Sequence, residues 1–141
     1  MGLDKTIYHP GEKVKLSLRV TKDSYINVLN IDEDGNVYLL YPNKFITSNL
    51  IKSGEVFEFP GDTKIDLKVV LPEGRKETME LIHIIATKNA PLFRPEETVE
   101  MGGNEYFFNI GKSNDVIRRL AKLNRDEWTM MVIPYCIRSE K

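Results

Sequence analysis

Asp32, Asp34 and Asn36 repeat an oxygen ligand at alternate positions within Asp32-Glu33-Asp34-Gly35-Asn36. That is how a calcium loop of the EF-hand type begins. The glycine stands one place too early, no bidentate glutamate follows at the required distance, and no helices flank the segment. Asp-Gly between two apolar runs is by default a hairpin turn, so the turn is the stronger reading and the metal the weaker. Cys136 with His9 or His83 is the one nucleophile–base combination the composition permits. A reactive thiolate needs an electropositive, partly exposed niche. Cys136 and His83 instead lie inside apolar runs and His9 beside a turn proline, so all three are expected to be structural. No Gly-x-Ser-x-Gly, no phosphate-binding glycine loop and no zinc-spaced Cys/His cluster occurs. The carboxylates sit in turns and on polar strand faces, without an acid–base pair that stands out. No catalytic residue, metal or cofactor is therefore expected.

Three groups could bind rather than react. Tyr38, Tyr41 and Phe45 form an aromatic group around Pro42-Asn43, on which a carbohydrate or small ligand could stack; core and turn packing is the competing reading. Leu92-Phe93 lies between Pro91 and Pro95 and is either tucked beneath the fold or an exposed anchor for a partner, with tucking favoured. Arg118, Lys122 and Arg125 fall at i, i+4 and i+7 and could meet an anionic surface. Such a stripe is more often the solvated side of a helix, and Asp115, Asp126 and Glu127 offset it.

The elements that must position these residues are mostly strands. Thr6-Ile7-Tyr8 precedes the turn His9-Pro10-Gly11-Glu12. From Lys13 to Val20 apolar and polar residues alternate, which predicts a strand with Val14, Leu16, Leu18 and Val20 inward. Tyr25–Ile31 and Val37–Tyr41 form a hairpin, apolar on both faces and so central. Glu55–Phe59, Lys64–Leu71 and Met79–Thr87 continue the series. Residues 89–111 read as a long irregular loop, marked by Pro91, Pro95 and Gly102-Gly103. Residues 112–124 read as the one helix, capped by Ser113 or Asn114, with Asp115 near its positive end. Trp128–Ile137 is a last strand, and Pro134 within it predicts an edge or a bulge. About eight short strands and one late helix indicate an all-β, antiparallel sandwich, of immunoglobulin-like type, spanning residues 1–141 as one domain.

Composition sets the outer limits. The chain has 141 residues, 41% hydrophobic and 29% charged, which suits one folded domain able to bury a core without disulfide or metal. The net charge of −1 counts against general nucleic-acid binding. A single cysteine forbids an internal disulfide. No apolar run approaches the length of a membrane span, and charged residues near the N-terminus interrupt any signal peptide.

Several pieces in order resemble a bacterial family known as domain of unknown function 4384. They are Tyr8-His9-Pro10-Gly11-Glu12, then Asp23 to Leu29 leading to Asp34-Gly35, then Leu39-Leu40-Tyr41-Pro42-Asn43. Asn49 to Glu55 precedes Phe59-Pro60, and Pro72-Glu73-Gly74 precedes Glu80 and Ile85-Ala86-Thr87. The likeness covers about residues 6–93. It implies a β-sandwich accessory domain, found alone in envelope proteins or joined to caspase-like peptidases or protein kinases, with no assigned catalytic residue. Periplasm or cell envelope is the compartment the resemblance implies, with the cytoplasm as the alternative. The resulting expectation is a non-catalytic interaction module that binds another protein or another domain of a larger chain, monomer favoured. The alternative is a carbohydrate or small-ligand module.

Overall fold

Alternating apolar residues commit about half of the described residues to strands, and the strands collect into two sheets. The structure is a computed structural model that describes residues 2–42, 49–61, 67–93 and 108–139. Its elements in chain order are β1 (Gly2–Leu3), β2 (Ile7–Tyr8), β3 (Leu16–Arg19), β4 (Ser24–Ile31), β5 (Asn36–Tyr41), β6 (Leu50–Ile51) and β7 (Val56–Phe59). They continue with β8 (Glu77–Thr87), β9 (Phe108–Lys112), α1 (Ser113–Ala121), a 3-10 turn (Arg125–Glu127) and β10 (Trp128–Arg138). The small sheet runs β1-β3-β7. The large one runs β2-β10-β8-β4-β5-β9, with β6 added to β4. All pairings are antiparallel except β2 with β10.

The result is an all-β sandwich with a helix on its outer face, hence three layers. Between the sheets lie Leu16 and Leu18 of β3, Ile26 and Val28 of β4, Tyr41, Phe59, Ile82, Ile84, Tyr135 and Ile137. On the other side of the large sheet Leu29, Ile31, Val37, Leu39 and Ile85 meet Val116 and Leu120 of α1, with Leu92 and Phe93. The β4–β5 hairpin is apolar on both faces because each face has its own core. A register shift between Val28 and Leu29 marks an irregularity in that hairpin.

Several boundaries differ from expectation, each for a local reason. Alternation over Lys13–Val20 holds for side chains, with Val14, Leu16 and Leu18 buried, but the strand is only Leu16–Arg19. Of the expected strand Lys64–Leu71, residues 64–66 lie outside the described residues. The remainder forms an isolated bridge, Lys68 to Lys13, with Val14 donating to the Leu67 carbonyl at 2.8 Å. Side-chain alternation alone does not supply a partner strand. The expected loop over 89–111 ends early, because Phe108–Lys112 pairs with β5; residues 94–107 lie outside the described residues. The two-residue strands β1 and β6 are too short to leave a periodic signal.

The helix begins with Lys112 at its cap position rather than Ser113 or Asn114. The Asp115 carboxylate accepts the Lys112 N–H at 2.9 Å and so satisfies one exposed donor at the helix start. Gly111 makes this possible: its φ is +107°, and a Cβ there would lie 2.6 Å from Asp115 Oδ2. The helix stops at Ala121, short of Asn124.

Pro134 lies on an edge, as its missing donor requires. The Cys136 N–H points outward to the Thr6 carbonyl at 2.9 Å. Backbone groups two residues apart point the same way along a strand, so the Pro134 nitrogen also faces outward. Its inner neighbour β8 therefore loses no ladder bond.

Candidate functional site

The acidic turn uses its own oxygens. Asp32 accepts from the backbone N–H of Asp34 at 3.0 Å and of Asn36 at 2.9 Å, and from Asn36 Nδ2 at 3.2 Å. Asn36 Oδ1 accepts from Lys112 Nζ at 2.6 Å. Gly35 takes a φ of +82° at the tip. Asp32, Asp34 and Asn36 thus build a hairpin turn. No group of three or more His, Cys, Asp or Glu placed to hold a metal occurs among the described residues.

The sulfur and the His83 imidazole do not converge. Cys136 is buried in β10, opposite Met79 and beside Ile7. His9 Nδ1 lies 2.9 Å from the Arg138 carbonyl. His83 stands opposite Leu29 and Val132. Val132 is four residues from Cys136 along β10, or about 13 Å at strand rise.

His83 has a separate property. Neither ring nitrogen has a hydrogen-bond partner among the described residues, and both are shielded from solvent. Burial holds its pKa below the ordinary imidazole value of 6.5. The unfolded chain therefore binds the proton first, and stability is lost as pH falls below that value towards the lower folded one. We expect the urea midpoint to drop between neutral and mildly acidic pH. His83→Leu should flatten that drop and add about 1 kcal/mol at neutral pH, by removing two unpaired buried atoms. Equal pH profiles for both proteins would refute this.

The aromatic group divides. Tyr41 is 2% exposed and packs on Phe57 and Phe59, with ring centroids 4.7 and 5.8 Å away. Burial pushes its hydroxyl pKa up to about 12. Its ring belongs to the inter-sheet core and is not free to stack on a ligand. Tyr38 is half-buried at a shallow cavity of about 340 Å³, together with Asn30, Asp32, Glu80 and Tyr135. There Tyr135 Oη lies 2.6 Å from Asn30 Oδ1 and 2.9 Å from Glu80 Oε1, sharing one proton between two acceptors. Phe45 lies outside the described residues.

Leu92 and Phe93 are tucked under the large sheet, 7% and 3% exposed, so they are no external anchor here. Asn27, wholly buried on β4, explains why. Its Nδ2 donates to the Phe93 carbonyl at 3.0 Å, and its Oδ1 accepts the N–H of Leu92 at 2.9 Å and of Phe93 at 3.3 Å. Arg119 closes the arrangement, donating to the Leu92 carbonyl at 2.8 Å and lying 4.3 Å from the Phe93 ring.

The basic stripe also divides. Because α1 ends at Ala121 with Lys122 as its C-cap, Arg125 belongs to the 3-10 turn and does not continue the face of Arg118 and Lys122. Its guanidinium covers the Trp128 ring at 4.3 Å and donates to the Trp128 carbonyl at 3.1 Å. Arg118 and Lys122 remain at the surface, Arg118 facing Asp115 at 3.8 Å.

What emerges instead is β10. Along its inner side it pairs with β8 over its full length. Along its outer side β2 covers only Cys136 and Ile137. From Trp128 to Pro134 that edge has no strand partner among the described residues, and no residue in it carries charge. Met130, Met131 and Val132 are 37%, 45% and 44% exposed. Met130 and Val132 share the outer face with Met79, itself exposed. Met131 points the other way, into a cleft of about 520 Å³ between the sheets that Arg19, Lys22, Lys88 and Trp128 also line. The signal was present in the sequence as an uncharged run on both faces of a strand that a proline places at an edge.

A family model described as Domain of unknown function (DUF4384) matches residues 7–90. No curated protein and no solved structure is significantly similar to the chain. The match extends from β2 to just beyond β8 and stops short of β9, α1 and β10.

Proposed function

For a chain that belongs to the DUF4384 family of domains of unknown function, we propose a non-catalytic, immunoglobulin-like module that binds protein. It acts in the bacterial cell envelope or as an appended part of a larger protein. The observation that carries this reading is the exposed apolar surface of β10, with Met130, Met131 and Val132. Exposed apolar side chains on both faces of an open strand edge favour an interaction site, and the edge offers backbone groups as well. An enzymatic reading has less support, since Cys136 is buried, His83 stands opposite Val132 four residues along β10, and His9 Nδ1 is taken up by the Arg138 carbonyl. A glycan-stacking reading loses Tyr41 to the core.

The test is affinity capture from extract with two baits, the wild-type domain and Val132→Lys. Val132 is 44% exposed, so the substitution should leave the fold intact to within about 0.5 kcal/mol. A partner retained by the first bait and lost with the second is the expected result. Equal capture by both, or substrate turnover by the purified domain, would overturn the proposal.

A further inference from the structure

We infer that the outer edge of β10 receives β10 of a second copy, antiparallel and about a two-fold axis at Met131. This rests on the protein-binding reading above and names the occupant of that surface. Among the described residues the window without a strand partner is bounded, by the 3-10 turn Arg125–Glu127 at one end and by β2 at the other, where Ile7 pairs with Cys136. It runs from Trp128 to Pro134, about 23 Å of strand.

The direction of each backbone group follows from Cys136, whose N–H points outward to Thr6. The ladder with β8 runs without a register shift, so Trp128, Met130, Val132 and Pro134 all direct their backbone groups outward. An antiparallel copy can then set Met130 opposite Val132 of the second copy, and Trp128 opposite its Pro134. Met130 and Val132 exchange bonds in both directions. Trp128 donates its N–H to the Pro134 carbonyl of the second copy. In this register the missing Pro134 donor faces the Trp128 carbonyl, and that carbonyl already accepts from Arg125 Nη1 at 3.1 Å. The one donor the edge lacks is thus opposite the one acceptor already satisfied. The window contains no charge, so the two-fold sets no like charges against each other. A foreign strand would meet the same edge without this built-in match to proline.

Met131 directs its own backbone groups inward to β8, so it faces Met131 of the second copy as a non-hydrogen-bonded pair, with Cα atoms about 4.5 Å apart. That distance admits a disulfide. The experiment is sedimentation velocity over a concentration series, on the wild type, Met131→Lys and Met131→Glu. We expect a concentration-dependent wild-type dimer. Each charged variant should dissociate at least about tenfold more readily, and an equimolar mixture of the two should recover pairing. Under mild oxidation Met131→Cys should cross-link to itself, whereas Met130→Cys, set opposite Val132, should not. Met131 is 45% exposed, so these variants keep the core. A wild type that stays monomeric throughout would overturn the inference, as would a dimer indifferent to both charged variants. A monomer that still captures another protein through Val132 would refute self-pairing and leave the protein-binding reading standing. Substrate turnover would strike that underlying reading instead.

Discussion

Asn27→Ala is expected to destabilise the domain by about 3 kcal/mol. The side chain is 0% exposed and satisfies the Phe93 carbonyl together with the N–H groups of Leu92 and Phe93. Truncation leaves those groups buried without their partner, at about 1–3 kcal/mol for each that water cannot reach. Asn27→Asp keeps the acceptor but turns a repulsive oxygen towards the Phe93 carbonyl, so it should not rescue. Leu92 and Phe93 should become accessible together, readable as faster exchange of their own two amides before global unfolding. A loss below about 0.5 kcal/mol would show that the segment is held by Arg119 and apolar packing alone.

Tyr41→Ala should cost about 3–5 kcal/mol, the usual range for removing a buried aromatic ring. Tyr41 is 2% exposed and touches both Phe57 and Phe59, so its loss opens a cavity between the sheets. Chemical denaturation would show this as a lower midpoint with an unchanged slope. The same experiment separates two roles for the ring. A glycan-stacking Tyr41 could be truncated with little loss of stability, whereas a core Tyr41 cannot. A variant as stable as the wild type would return the aromatic group to the list of ligand surfaces.

The hairpin Tyr25–Ile31/Val37–Tyr41 was legible because turn chemistry and β-branched residues agree over its whole length. The all-β sandwich followed from that grammar repeated along the chain. β9 was not legible: Phe-Asn-Ile-Gly-Lys carries a glycine and little alternation, and becomes a strand only because β5 offers it an edge. The strand expected over Lys64–Leu71 shows the converse, since alternation survives at Leu67–Leu71 with only a bridge as partner. For the site, aromatic and apolar residues on a strand with two buried faces look the same whether they serve core or ligand. That ambiguity placed Tyr41, Leu92 and Phe93 among the binding candidates, and burial alone resolves it. Arg125 joined the helix stripe because the 3.6-residue period continues past Ala121 in sequence but not in space. β10 was visible as an uncharged run, yet its meaning depends on which neighbour it has, and pairing across more than forty residues leaves no local signature.

That distant pairing also sets the order in which the domain is completed. β8 is enclosed by β4 on one side and β10 on the other. While the ribosome has made the chain only as far as residue 90, where the family match ends, one whole side of β8 lacks β10 and the face of Leu29 and Ile85 has no helix. The nascent chain must therefore carry an open, apolar strand until β10 emerges, a natural moment for a chaperone to bind. An expressed fragment cut at the family boundary would be held in that state permanently.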